Sequence, residues 1–185
     1  IKAFSVYGTE MFKSFDGPFA FILYNKATKE IWFGRDAFGE KQLFFSFLDN
    51  DIFISSTIQS LRLLMPENSY NIDEESNNEF FQTGMIGSAE KTVYKEIKKC
   101  DPGCIYKLNK SNNKIELSKK HYSLQSYSEK NSKIITKQYF SEMFHEKFKY
   151  SIEKRLRVDV PYTLLLSGGI DSSYLLCILV NELNI

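Results

Sequence analysis

Residues Ser167-Gly168-Gly169-Ile170-Asp171-Ser172-Ser173 bring small and polar side chains together in one short run. Leu164, Leu165 and Leu166 precede them, with Val158, Val160 and Tyr162 leading in, and an apolar run of this kind predicts a buried strand. Tyr174-Leu175-Leu176-Cys177-Ile178-Leu179-Val180 follows and predicts a buried helix. Strand, small-residue turn and helix start would aim backbone N–H groups and the positive end of a helix at one point, which suits a phosphate. Glycine lets the backbone approach an anion where a Cβ would intrude, and the serine hydroxyls add uncharged donors. The run lacks the longer glycine spacing and the lysine of a Walker A loop, so a polyphosphate would find its counter-charge elsewhere. The plainer alternative is a Gly-Gly turn in which Asp171 and Ser172 cap the helix and bind nothing. The apolar run before the loop weighs against it.

The elements that would position this loop begin far upstream. Ile1 to Val6 has the spacing of a helix tail closed at Tyr7-Gly8, Met11 to Phe15 adds a short turn, and Asp16-Gly17-Pro18 punctuates the chain. Phe19 to Tyr24 and Ile31 to Gly34 predict a hairpin across the polar stretch Asn25 to Glu30. After a turn at Arg35-Asp36-Ala37-Phe38-Gly39, Leu43 to Phe47 and Ile52 to Ser56 predict a second hairpin. Antiparallel sheet with two apolar faces calls for helices above and below. Ile58 to Leu64 predicts a short helix ended by Met65-Pro66, and Asp73-Glu74-Glu75 starts another with Phe80 and Phe81 as its buried residues. Asp101-Pro102-Gly103 marks a turn before a strand at Cys104 to Leu108; a polar hairpin at Asn109 to Lys114 leads to Ile115-Glu116-Leu117. Gln125 to Ser132 is polar and reads as a linker between two domains. From Thr136 a helical stripe of Phe140, Phe144, Phe148 and Ile152, widened by Tyr139, Met143 and Leu156, predicts a core face.

With 185 residues, 43% hydrophobic and 25% charged, the chain has room for one or two domains of ordinary globular composition. A formal net charge of +1 argues against a dedicated nucleic-acid surface, and the lysines from Lys91 to Lys120 read as a solvated face. The stretch from Tyr162 to Val180 comes nearest to a membrane span, but its polar loop interrupts it, so no membrane partner is expected. Ile1 enters an amphipathic pattern without a basic leader, which gives no signal peptide. Cys100, Cys104 and Cys177 make no even framework, so a reducing, cytoplasmic location is expected. Cys100 and Cys104 are spaced like half of a zinc site, but no second pair exists and both histidines are distant. A lone parallel strand cannot cover both its own faces, so the chain reads as part of a larger protein.

The loop from Ser167 to Ser173 resembles the pyrophosphate loop of the N-type ATP pyrophosphatases, which cleave ATP between its α- and β-phosphates. Asp16-Gly17-Pro18-Phe19-Ala20-Phe21, Gly34-Arg35-Asp36-Ala37-Phe38-Gly39-Glu40-Lys41 and Ile54-Ser55-Ser56 look like the glutaminase half of the asparagine synthetase family. Pro102-Gly103, Val158-Asp159-Val160-Pro161 and the loop itself resemble the join into its synthetase half. Departures occur at Lys41-Gln42-Leu43-Phe44 (the family has Lys-Pro-Leu-Tyr), Ser55-Ser56-Thr57 (Ala-Ser-Glu) and His121-Tyr122 (Tyr-Trp). The wording of Gly17-Pro18 and of Trp32-Phe33-Gly34-Arg35-Asp36 is closer to the divergent eukaryotic proteins called asparagine synthetase domain-containing.

The resemblance implies an α+β region followed by an α/β region. Residues 1–124 would be part of a class II, Ntn-type glutamine amidotransferase αββα sandwich, 125–133 a linker, and 134–185 the start of an ATP pyrophosphatase domain. ATP and Mg²⁺ are the implied cofactors. ATP would be held by Leu165, Ser167, Gly168, Gly169, Asp171, Ser172 and Ser173, Leu165 through its backbone near the adenine. Asp171 would also hold the metal, since a carboxylate among phosphates is repulsive without a cation between them. The implied reaction is glutamine-dependent amidation of aspartate through a β-aspartyl-adenylate, releasing AMP and pyrophosphate. Its partners would be the small molecules glutamine, aspartate and ATP, with room for a homodimer. The glutaminase nucleophile of the family is an N-terminal cysteine, and residue 1 is Ile1, so that nucleophile is expected outside this chain. Arg35 and Asp36 read as an internal ion pair fixing a turn. The alternatives are a catalytically degenerate scaffold and another amidotransferase of the β-lactam synthetase kind.

Overall fold

The structure is a computed structural model and describes residues 1–109, 114–123 and 136–185. The described residues gather into two compact units, Ile1–Lys130 and Asn131–Ile185. The polar hairpin between Asn109 and Lys114 and the linker 125–133 fall largely or wholly outside the described residues.

In the first unit, Asn25 ends β1 (Ala20–Asn25) by folding its carboxamide back: Oδ1 accepts from the N–H groups of Ala27 and Thr28 at 3.0 and 3.3 Å. The chain thereby reverses into β2 (Glu30–Arg35), with Ile22 opposite Phe33 and Tyr24 opposite Ile31. A second reversal joins β3 (Phe44–Leu48) to β4 (Asp51–Ser55) through Asp49 and Asn50. Both take left-handed angles, φ 49° and 71°, as a two-residue hairpin requires. β5 (Lys98–Lys99) pairs with β3, while β6 (Cys104–Asn109) and β7 (Lys114–Lys120) extend the first sheet. Strand orders are β1-β2-β6-β7 and β4-β3-β5, every pairing antiparallel.

The two sheets meet through Phe33, Phe45 and Tyr106, whose rings lie 5.2 to 5.6 Å apart, with Leu43, Cys100 and Cys104 completing a buried cluster. Short helices meet the other faces. Phe4 of α1 (Lys2–Tyr7) lies 5.7 Å from Trp32, and Phe12 of the 3₁₀ helix Gly8–Ser14 stacks on Phe21 at 4.4 Å. α2 (Ile58–Leu64) is capped by Thr57, whose Oγ1 accepts from Ser60 N–H at 3.2 Å, and it buries Leu61 beside Phe44, Met65 and Ile97. Ile22 and Tyr24 share the face of Phe33 but remain about half exposed, because the three-stranded sheet packs over β2 and β6 and does not reach them.

Two expectations fail in this unit. α3 (Glu74–Thr83) forms where its acidic start predicts, but Phe80 and Phe81 are not buried, and Phe81 is 78% exposed. The helix is anchored by its first turn, where buried Ser76 donates to Asp73 Oδ2 at 2.8 Å, and the two rings further along pack against each other instead. Arg35 and Asp36 are both buried, yet they form no ion pair with each other. The backbone donors of the following turn occupy the Asp36 carboxylate first.

The second unit contains α4 (Lys137–Arg155), capped by Thr136, and α5 (Ile170–Asn181). The aromatic stripe of α4 is only partly a core face: Ile152 is buried and Phe148 half-buried, while Phe140 and Phe144 stay about half exposed and stack along the helix. Residues 164–166 are not a buried strand. They pair with nothing among the described residues, and Leu165 is 89% exposed. A strand exists only where a neighbour accepts its ladder of hydrogen bonds, and this unit offers none to Leu164–Leu166. α5 forms as expected but buries Ile178 alone, for the same want of a sheet beside it. Among the described residues no helix is long and apolar enough to cross a membrane.

Candidate functional site

The loop ahead of α5 is built by Gly168 and two serines. Gly168 has φ +79°, an angle that L side chains rarely adopt, and a Cβ there would meet nothing within 4 Å, so the space in front of it is open. Gly169 is the N-cap of α5 with extended angles, and its carbonyl accepts the first helical bond from Ser173 N–H at 3.0 Å. Being glycine, it offers no side-chain oxygen to the first-turn donors. Ser172 Oγ donates to Gly169 O at 3.2 Å and lies 3.1 Å from Ser167 Oγ, so the two hydroxyls converge across the turn. Ser167 Oγ also accepts from Gly169 N–H at 3.5 Å. Asp171 is exposed in the first helical turn. Of the residues that the sequence marks, Ser167, Gly168, Gly169, Asp171, Ser172 and Ser173 thus share one loop and helix start, with Leu165 on the exposed segment leading in. The open backbone donors, the two hydroxyls and the helix dipole are the chemistry of an anion cradle. No group of three His, Cys, Asp or Glu side chains among the described residues could hold a metal ion.

The corner after β2 is a scaffold. Asp36 Oδ1 accepts from the N–H groups of Phe38 and Glu40 at 3.1 and 2.9 Å, and Oδ2 from that of Lys41 at 3.0 Å. Burial pushes its carboxyl up, but these backbone donors outweigh that and hold it below the usual carboxylate value. Arg35 Nη1 donates to the carbonyls of Gly39 and Lys41 and to Gln42 Oε1 at 3.3 to 3.4 Å, so Gln42 supplies an acceptor that proline, usual in the resembled family, would lack. The guanidinium lies so near Gly39 that a Cβ there would come within 2.8 Å of Arg35 Cζ. His121 Nε2 lies 3.0 Å from Arg35 O and closes the same corner. Nothing in this arrangement reaches out to a ligand. The thiols of this unit are equally withdrawn: burial pushes Cys100 up to about 12 and raises Cys104 as well, so neither is a thiolate near neutral pH.

One polar cluster in the second unit carries no sequence motif. His145 Nδ1 lies 2.7 Å from the Tyr174 hydroxyl and its Nε2 lies 2.8 Å from Glu182 Oε1, while Lys149 Nζ lies 3.1 Å from Glu182 Oε2. The hydrogen bond from Lys149 holds the Glu182 carboxyl below its ordinary value, helped by His145. The only signal in the sequence was the spacing of His145 and Lys149 by one helical turn.

The structure thus sets out a first unit of two antiparallel sheets and a second unit whose last helix opens on the loop of Ser167, Gly168, Gly169 and Ser172. Comparison with known proteins supplies the family. Residues 1–123 match the glutamine amidotransferase domain and residues 143–184 match asparagine synthase. The chain belongs to the asparagine synthetase family, and its greater part is a glutamine amidotransferase domain. It is 25% identical to "Asparagine synthetase [glutamine-hydrolyzing] 1" of Bacillus subtilis over 93% of this chain and 26% of that protein. It is 28% identical to the asparagine synthetase of Triphysaria versicolor over 96% of this chain and 24% of that protein. It is also 26% identical to "Amidase chry2" of Gibberella zeae over 94% of this chain and 25% of that protein. The chain therefore spans about a quarter of the length of these relatives.

Proposed function

We propose that the protein containing this chain is a glutamine-dependent, asparagine synthetase-like amidotransferase. Ammonia from glutamine would amidate aspartate activated as its β-aspartyl-adenylate, with AMP and pyrophosphate as products. The observation that carries this reading is the order of the two matched segments together with the open cradle at Ser167 to Ser173. In this reading residues 1–124 belong to an αββα sandwich of the Ntn type, supported by helices on the outer faces of two stacked sheets. Residues 134–185 begin the ATP-binding domain, whose remaining strands would pair with Leu164–Leu166.

The residues present suit a nucleotide. Gly168 keeps the approach to the backbone open, Ser167 and Ser172 turn their hydroxyls into the turn, and no side chain of the N-cap residue bonds the first turn of α5. Backbone at Leu165 would meet the base, and Ser173 would add a donor at the phosphates. Among the described residues Asp171 belongs to no group of three His, Cys, Asp or Glu side chains that could hold a metal, so it would hold Mg²⁺ together with phosphate oxygens. The ion would supply the positive charge that this loop, with no lysine of its own, does not carry. The chain's own residues at this loop would bind and orient the phosphates of ATP for attack by the acceptor carboxylate.

A second reading, amide formation on another acceptor, draws on the fungal relatives named as amidases. Both readings share the cradle and differ in the acceptor, so aspartate-dependent against aspartate-independent pyrophosphate release separates them. In the full-length protein Asp171→Ala is expected to abolish pyrophosphate release from ATP while the protein stays folded. Unchanged release would remove the role given to the loop. The 185-residue chain by itself is expected to bind ATP weakly, and tight Mg²⁺-dependent binding would contradict the division of the pocket.

A further inference from the structure

Among the described residues the cradle's hydrogen bonds run within it and to the start of α5, so its direction follows the roll of that helix. Two kinds of contact hold α5 against α4. Phe144 and Phe148 face Tyr174 with ring centroids 6.1 and 5.2 Å away, and such faces resist separation but let a helix slide or turn. The bonds of His145 are directional. Its Nδ1 meets the Tyr174 hydroxyl one turn into α5, directly after Ser173, and its Nε2 meets Glu182 at the other end of α5. Lys149, one turn further along α4, takes the second oxygen of Glu182. When Nε2–H donates to the Glu182 carboxylate, neutral His145 presents Nδ1 as an acceptor, and the Tyr174 O–H donates to it.

We propose that His145 is a positioning residue for the nucleotide loop: by holding the Tyr174 hydroxyl it fixes the roll of α5 and so aims the first-turn N–H groups and Ser172 at the phosphates. This rests on the loop being the phosphate site. In this role His145 and Tyr174 act through the helix and not on the nucleotide or the acceptor. The two nitrogens carry different tasks. Nδ1 sets the cradle through Tyr174, whereas Nε2 anchors the ring on Glu182.

The test uses the full-length protein and four variants. Tyr174→Phe keeps the ring stack and removes the hydroxyl. His145→Asn retains an amide near the position of Nδ1, and His145→Gln retains one near that of Nε2. Asp171→Ala reports on the loop itself. Tyr174→Phe and His145→Gln are expected to raise the KM for ATP about fivefold to tenfold, the size of one lost hydrogen bond, with kcat within about twofold. His145→Asn is expected to restore most of the affinity, a pattern that loss of helix stability alone would not produce. Equal KM values for wild type, Tyr174→Phe and His145→Gln would overturn the proposal, as would equal losses in His145→Asn and His145→Gln. Hydrogen exchange at the Ser173 and Tyr174 amides reads the clamp without nucleotide and is expected to quicken in Tyr174→Phe. If Asp171→Ala leaves pyrophosphate release intact, the loop reading fails, while quickened exchange would still support the clamp. Unchanged exchange would overturn the clamp whatever the loop binds.

Discussion

The two units spend similar apolar runs in opposite ways. In the first, Phe33, Phe45, Ile105 and Leu108 come from short strands and end up buried, because each strand finds a hydrogen-bond partner, across a turn for β1–β2 and β3–β4 and from a distant segment for β2–β6. In the second, Leu165, Leu166 and Ile170 are no less apolar and yet stand exposed. Antiparallel hairpins carry their hydrogen-bond partners with them in sequence, whereas a parallel strand draws its partners from elements a crossover away. The lesson is that apolarity predicts a demand for burial, and only topology says whether the demand is met locally. The relatives named above are about four times as long as the matched segment.

Four measurements would break or sharpen this contrast. The largest expected difference is in thiol chemistry. Because burial pushes Cys100 up to about 12, its thiolate at pH 8 is roughly one part in ten thousand, and exposed Cys177 is expected to react with a disulfide reagent on the order of a thousandfold faster. Three equivalents titrating together without denaturant would show the first unit to be open.

Next comes Phe33→Ala, which removes a fully buried ring between the sheets and is expected to cost about 3–5 kcal/mol in urea unfolding of the first unit. A loss under ~1 kcal/mol would mean that the sheets do not share one core. Asp36→Asn is expected to cost about 2–3 kcal/mol, since the amide accepts poorly where three N–H groups now meet a carboxylate. The Asp36 pKa is lower folded than unfolded, so its contribution is complete above the unfolded value, roughly pH 4, and disappears as pH falls through the folded one. Wild type is therefore expected to lose stability on acidification below about pH 4 more steeply than Asp36→Asn, and parallel curves would count against the brace. The smallest effect is expected from Leu165→Ala in the 185-residue chain, within ~0.5 kcal/mol, because the side chain is already exposed. A cavity-sized loss at that position would mean that residues 164–166 are packed after all.

Much of the first unit was legible because its signals are local. The hairpins around Asn25 to Glu30 and Asp49-Asn50 follow from turn chemistry, and α2 begins where Thr57 can cap it. β5 escaped notice because two lysines carry no strand pattern; its pairing to Phe44 and Phe45 is purely a matter of position. Phe80 and Phe81 misled for a related reason, since adjacent aromatics in an otherwise polar helix say nothing about what lies beside them. The Arg35–Asp36 pair was misread because opposite charges adjacent in sequence invite pairing, while turn N–H groups at 2.9 to 3.1 Å compete better for the carboxylate. At the candidate site the serines, the glycines and Asp171 were all legible, but the His145–Tyr174–Glu182 cluster was not, because it joins residues far apart along the chain on two helices.

By itself the sequence determined which residues could line an anion cradle and where the chain must turn, because glycines, capping serines and hairpin residues act on their immediate neighbours. Only the tertiary structure decided which apolar residues are covered, which carboxylate meets which donor, and which histidine holds the helix behind the loop. Burial and long-range hydrogen bonds depend on segments that meet only after folding, and no local pattern encodes the meeting.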